Sequence, residues 1–246
     1  MTSKEEKTPA NLAEANRVQE ARDIDYFRSI PWCAALLLSS STQGRSENSS
    51  SLSITQSDSR ILRPNLEDAL MSRTLNSPDA IPHYITFHSG VPSSSSSSSS
   101  PSESSSPQAQ GSTHGYVTKV STLVALGPMV NGWEGICHGG VVMTLIDEAM
   151  GQLFTVNKRA GKLRKEMVFT GYLNTRFKKP VRTGTEKGGP SVVLVVAELK
   201  RVEGRKYWTE AVVMGPRDGG AAGDGGKGLE ELASAEAVFV QVRAKL

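Results

Sequence analysis

One stretch of the chain concentrates residue types that can hold an oxyanion and move a proton. It runs from Gly135 to Gly151 and carries His138, Gly139 and Gly140, then Asp147 and Glu148. Adjacent glycines at a helix start let a ligand approach free backbone N–H groups at the positive end of the helix dipole. Such a position can stabilise a developing negative charge on oxygen. A carboxylate two turns further on can take a proton from water. Taken singly these residues have plainer readings. His138 has no catalytic partner visible in sequence and reads first as a helix cap, the glycines as a turn, and the acids as a solvated face. Their combination on one helix is what points to chemistry. Other constellations fail. Cys137 and His138 are adjacent and so do not face each other as a nucleophile and its base. The loop Gly220–Gly228 has Ala221 and Gly228 where a phosphate loop needs Gly and Ser or Thr. His83 and His88 lack further ligands at metal-binding spacing, so neither metal nor organic cofactor is expected.

The elements that must carry these residues follow from periodicity. At about 100° per residue, Val142, Met143, Leu145, Ile146, Ala149, Met150, Leu153 and Phe154 share a broad arc. Gly140, Asp147, Glu148, Gly151 and Gln152 share the opposite one. The pattern predicts a helix over 138–154 with one core face and one small, polar face. Before it, Val117–Leu126 is rich in β-branched residues and reads as a strand, broken by Gly127-Pro128 and Asn131-Gly132. After it come four strand-like runs: Val168–Phe177, Ser191–Arg201, Arg205–Met214 and Ala233–Arg243. Glu203-Gly204 signals a tight hairpin, and seven glycines in residues 215–228 signal a long loop. A strand, a long helix and a meander of four antiparallel strands predict a two-layer α+β fold.

The remainder of the 246 residues reads as an extension. Apolar residues make up 37%, below the usual ~45–50%, and serine accounts for the difference. Residues 93–112 hold 13 serines in 20 positions and residues 39–59 hold 10 in 21. Such stretches do not bury enough apolar surface to offset the entropy of ordering them. The expected organisation is an extension over 1–92, a serine-rich disordered linker over 93–113 and a folded domain over 114–246. Within the extension Asn11–Phe27 reads as a helix ended by Pro31. Ile30–Leu38 is apolar enough to dock on something. The segment 64–87 completes a pair of helical arms lying on the main domain.

Residues 1–113 carry 9 Lys+Arg against 12 Asp+Glu, and residues 114–246 carry 19 against 13. The basic half would steer an anionic ligand. No nucleic-acid motif accompanies the charge, so a phosphate-bearing small molecule is the better candidate. The longest apolar runs, Trp32–Leu38 and Val192–Ala197, fall far short of a membrane span. The first thirty residues mix acids and bases, unlike a secretory signal or a transit peptide. Two cysteines make no disulfide framework. The cytoplasm is the expected compartment, with the mitochondrion as the alternative.

His138-Gly139-Gly140 followed by Asp147 resembles the motif of hotdog-fold acyl-CoA thioesterases, in particular the PaaI-like branch. The likeness continues through Thr170–Val181, with its Leu173-Asn174 and Pro180-Val181, and through the hairpin Arg201–Trp208. It covers about Val117–Val242. The resemblance implies a long central helix wrapped by a curved antiparallel sheet, paired into a homodimer or homotetramer with the site between subunits. It implies hydrolysis of an acyl-CoA thioester to a fatty acid and coenzyme A. Asp147 would be the catalytic carboxylate, as general base or as nucleophile. The Gly139 N–H would polarise the carbonyl, His138 would shape the loop and Thr170 would position the water or the carboxylate. Gly140, Glu148, Arg176, Lys178 and Lys179 would contact substrate, the basic residues together with the segment 157–166 meeting its phosphates. Some relatives use an asparagine shortly before the histidine, and Asn131 is the nearest here. The alternative from another class is an acyl-CoA-binding protein that keeps the shell without the turnover.

Overall fold

The structure, a computed structural model, describes residues 9–42, 52–89, 113, 115–164, 166–217 and 228–242. Three helices are present, α1 (Pro9–Arg28), α2 (Pro31–Thr42) and α3 (Gly139–Arg159). The strands are β1 (Leu52–Thr55), β2 (Tyr84–Ser89), β3 (Lys119–Leu126), β4 (Asn131–Trp133), β5 (Ile136–Cys137), β6 (Val168–Phe177), β7 (Ser191–Glu203), β8 (Lys206–Pro216) and β9 (Leu229–Gln241). Seven of them form one antiparallel sheet in the order β1-β2-β3-β7-β8-β9-β6, and β4 pairs with β5 in a small ribbon. Helix α3 lies across the sheet, which wraps it: this is the hotdog fold.

Strand alternation divides the sheet into two apolar faces. Val120, Val124 and Leu126 of β3 and Val193, Val195 and Ala197 of β7 point to α3, where they meet Leu145, Ile146, Ala149, Met150 and Leu153. Leu123, Ala125, Val192 and Leu194 point the other way and are covered by Phe27, Trp32, Cys33 and Leu37 of α1 and α2. Full burial of a large apolar side chain is worth roughly 1.5–3 kcal/mol, so Phe27, Trp32 and Leu37 anchor the two helices firmly. Helix α3 and the sheet are the two layers expected of the domain, and α1 and α2 of the extension add a third on the other sheet face.

Other expectations are corrected in the same way. The four later strands do not form a simple meander: β7, β8 and β9 do, but β6 crosses to the far edge and pairs only with β9. Chain order does not fix spatial order when the 178–190 connection is long enough to return β7 to the side of β3. The segment 64–87 is not a helical arm. Beyond a single turn at Leu70–Thr74 it ends in β2, which pairs with β3 and extends the sheet. The serine-rich stretch 39–59 is not featureless, since Leu52–Thr55 is a strand and Ser57 and Ser59 are buried. Pro31 ends one helix and opens the next, as proline does at a first helical position. Helix α3 runs on to Arg159, so Asn157 is no loop residue. It is buried, accepts the Val117 N–H at 2.8 Å and donates to the carbonyls of Val117 and Leu153 at 2.9 and 2.7 Å. Gln152, assigned to the polar face, is buried as well. The serine-rich linker 93–112, His114, Lys165 and residues 218–227 of the glycine-rich loop lie outside the described residues. Among the described residues no helix is long and apolar enough to cross a membrane.

Candidate functional site

His138 is the N-cap of α3, with extended backbone angles of φ −61° and ψ 132°. Its Nδ1 accepts the Gly140 N–H at 3.0 Å, and its own N–H donates to the Val130 carbonyl at 2.8 Å. The imidazole thus uses Nδ1 as an acceptor, which leaves the proton of a neutral ring on Nε2. The β4–β5 ribbon holds the loop in place, because a Cβ at Gly132 would come within 2.9 Å of the His138 Cα. A Cβ at Gly140 would meet the capping imidazole at 3.0 Å. Both glycines are needed for close approach. With the Gly140 N–H engaged, the Gly139 N–H remains, with no partner among the described residues, at the positive end of a 21-residue helix.

A second element closes on that position. The Phe177 ring, at the end of β6, stands 3.5 Å from where a Cβ of residue 139 would lie. At the other end of β6 the Thr170 hydroxyl donates to Asp147 Oδ1 at 2.7 Å. A β-bulge makes this contact. Strict alternation would send Thr170 to the same face as Asn174 and Arg176, away from α3. The register of β6 on β9 shifts between Thr170 and Tyr172, and the extra residue, Gly171, turns Thr170 back toward the helix. A Cβ at 171 would come within 3.0 Å of the Val238 carbonyl, so the bulge needs glycine. An isolated glycine inside a strand pattern is the signal that could have revealed it.

Asp147 and Glu148 part company. Asp147 faces β6. Glu148 turns to the extension, where burial pushes its carboxyl above the ordinary value; Asp68 and Asp147 add to the shift, and a hydrogen bond with Ser59 opposes it. Next to Ser59 in the chain, the fully buried Arg60 donates to the carbonyls of Met71 and Ile81 at 3.1 and 2.8 Å and to Asn76 Oδ1 at 2.5 Å. Burial lowers its guanidinium to about 10. Glu148 therefore anchors the segment 57–76 on α3 and does not open onto the Asp147 side.

The basic residues divide too. Arg176 lies beside Asn174, Glu210 and Glu236 on the sheet face opposite α3. Lys178 pairs with Glu231 at 2.7 Å and Lys179 with Glu230 at 2.5 Å. Both follow Phe177 directly and stand at the Gly139 end of the molecule. In the segment 157–166 Arg159 pairs with Asp58, so it serves the extension. Asn131 Oδ1 accepts the Thr183 hydroxyl at 2.5 Å.

Gly139 and Asp147 are eight residues apart on one unbroken helix, about 12 Å along its axis. Reacting groups need to approach to roughly 3–3.5 Å. A carbonyl held at the Gly139 N–H of one protomer is out of reach of that protomer's own Asp147.

Residues 134–206 match the thioesterase superfamily. The verlamelin biosynthesis protein B of a Lecanicillium species is 26% identical over 217 residues, 78% of this chain and 81% of that protein. The acyl-coenzyme A thioesterase THEM4 of Bos taurus is 35% identical over 82 residues, 33% of this chain and 28% of that protein. Among solved structures, a thioesterase family protein from Silicibacter pomeroyi is similar at 19% identity and a TM-score of 0.39, over 52% of this chain and 79% of that one. A Bacillus halodurans protein crystallised with CoA is 26% identical at a TM-score of 0.37, over 50% of this chain and 66% of that one.

Proposed function

We propose that this chain, whose residues 134–206 are those of the thioesterase superfamily, hydrolyses acyl-CoA at a site shared between two copies. The observation that carries the reading is the pairing of Asp147 with Thr170 at the Gly171 bulge, Asp147 standing on the same helix whose N-terminus keeps an open N–H. Acyl-CoA as the substrate rests on the similarity to the bovine acyl-coenzyme A thioesterase.

In the mechanism the Gly139 N–H donates to the thioester oxygen. The Asp147 carboxylate takes a proton from water as the water oxygen attacks the carbonyl carbon. The oxyanion collapses, the C–S bond breaks, and the thiolate leaves with the proton that Asp147 returns, giving a carboxylic acid and a thiol. Thr170 fixes the carboxylate through Oδ1 and leaves Oδ2 to the water. Lys178 and Lys179 receive the substrate phosphates. The Lys178–Glu231 pair is solvent-accessible and worth only about 0–1 kcal/mol, so a multivalent phosphate ligand can displace it; Lys179 is itself half exposed, although its partner Glu230 is mostly buried. Arg176, on the opposite sheet face, takes no part.

The 12 Å gap calls for a second copy. β6 is an edge strand, and an unpaired edge invites another strand. An isologous β6–β6 pairing centred near residue 173 would set residue 170 of one copy opposite residue 176 of the other. It would thereby bring Asp147 and Thr170 of one protomer to Phe177 and Gly139 of its partner. The decisive experiment is thiol release from a panel of acyl-CoA chain lengths by wild type and Asp147→Asn. Wild type is expected to turn over and the variant to lose roughly 10²–10⁴ in kcat, the range of general acid–base catalysis, while still binding acyl-CoA. Tight binding by wild type without turnover on any member would establish a binding protein instead.

A further inference from the structure

The reaction places no role on Phe177, yet this ring is the side chain that stands against Gly139. It is apolar and 52% exposed, as Phe169 and Tyr172 of the same strand are at 50% each. Its edge is in van der Waals reach of the position a Cβ would take at residue 139, with Cζ at 3.5 Å and Cε1 at 3.8 Å. The next inward residues of β6, Thr175 and Leu173, turn partly into the protein. On α3 the residue one turn after Gly139 is Met143, also apolar and 36% exposed. An apolar notch therefore flanks the one open N–H of the helix start, with Phe177 on the strand side and Met143 on the helix side.

We infer that Phe177 is a specificity-determining residue, the wall against which the first carbons of the acyl chain lie when the thioester carbonyl is held by the Gly139 N–H. This rests on the thioesterase reading above. The two sides of a thioester carbonyl differ in chemistry. An acyl chain is apolar from its second carbon onward, whereas the leaving arm of coenzyme A carries amide groups within a few bonds of the sulfur. An aromatic ring beside the oxyanion position matches the acyl side. It offers contact area to a straight chain and collides with a branched or aryl carbon directly beside the carbonyl.

The test compares kcat/KM for butyryl-CoA, isobutyryl-CoA and benzoyl-CoA in wild type, Phe177→Ala and Phe177→Leu. Opening the notch should lower the butyryl value and raise the isobutyryl and benzoyl values relative to it. The ratio should shift at least tenfold in the alanine variant, in line with the roughly 10–200-fold that one methylene is worth in a fitted pocket. Leucine should give a smaller shift of the same sign, and keeps the result readable should the alanine variant fold poorly. A uniform fall on all three substrates, or no change in the ratios, overturns the assignment while leaving the thioesterase reading intact. Wild-type inactivity toward every acyl-CoA overturns that reading and the assignment with it.

Discussion

Single residues at the head of α3 set chemistry against stability. Gly139 sits in a helix, where alanine would be preferred by up to ~1 kcal/mol, and the added methyl would only touch Phe177 at van der Waals distance. In the proposed mechanism it would also fill the notch through which a carbonyl reaches the N–H. Gly139→Ala is therefore expected to raise the melting temperature by a few degrees and to lower kcat/KM by at least tenfold, measured by thermal denaturation and thiol release on the same preparation. A fall in both would assign the glycine to the fold instead. The neighbouring Gly140 obeys a different constraint, since its missing side chain makes room for the imidazole that caps it.

At the scale of elements, the Gly171 bulge and the extension each govern one carboxylate. Gly171→Ala would press on the Val238 carbonyl and favour regular register, turning Thr170 off Asp147. Its kcat should fall as far as that of Thr170→Ala, and the double variant should be no worse than either single one, which a double-mutant cycle would reveal. Glu148 gives a pH signature. Its carboxyl is raised in the folded protein by burial against the extension, so folding holds its proton more tightly than the unfolded chain does. The associated stability is fully present below the ordinary carboxylate value and is lost as pH rises through the raised one. Glu148→Gln, which has no charge to bury, should escape this loss. The difference in melting temperature between variant and wild type should thus grow in favour of the variant as pH increases from about 4.3 toward neutrality. A difference independent of pH would mean that Glu148 is solvated in solution.

At the scale of the whole molecule, the spacing of Gly139 and Asp147 is why the proposed mechanism needs a second copy. Light scattering at micromolar concentration should give at least a dimer. Mixing Asp147→Asn protein with Gly139→Ala protein, each impaired on its own, followed by subunit exchange, should raise activity above that of either parent. In a mixed dimer one of the two shared sites then carries both native residues. Activity that stays at the level of the parents after proven exchange would place both groups in one chain and contradict the 12 Å separation. Among the described residues, β1 and β2 of the extension lie beyond β3, at the opposite edge of the sheet from β6.

The sequence determined on its own the elements whose signals are local. The apolar arc of α3, the start and end of β6 at Val168 and Phe177, and the tight hairpin after Glu203, whose two turn residues are Gly204, at φ +57°, and Arg205, are set by side-chain period and turn chemistry within a few residues. It also brought His138, Gly139, Asp147 and Thr170 to attention, because a motif is a pattern along the chain. What the tertiary structure decided are relations between segments distant in sequence. β6 joins β9 across more than fifty residues, α1 and α2 cover the second sheet face, and β2 extends the sheet. Each depends on which apolar faces meet, and no local period encodes that. The fate of the charged residues was hidden for the same reason. Asp147 and Glu148 are neighbours with similar chemistry, and only the elements packed against them turn one toward Thr170 and bury the other against Ser59.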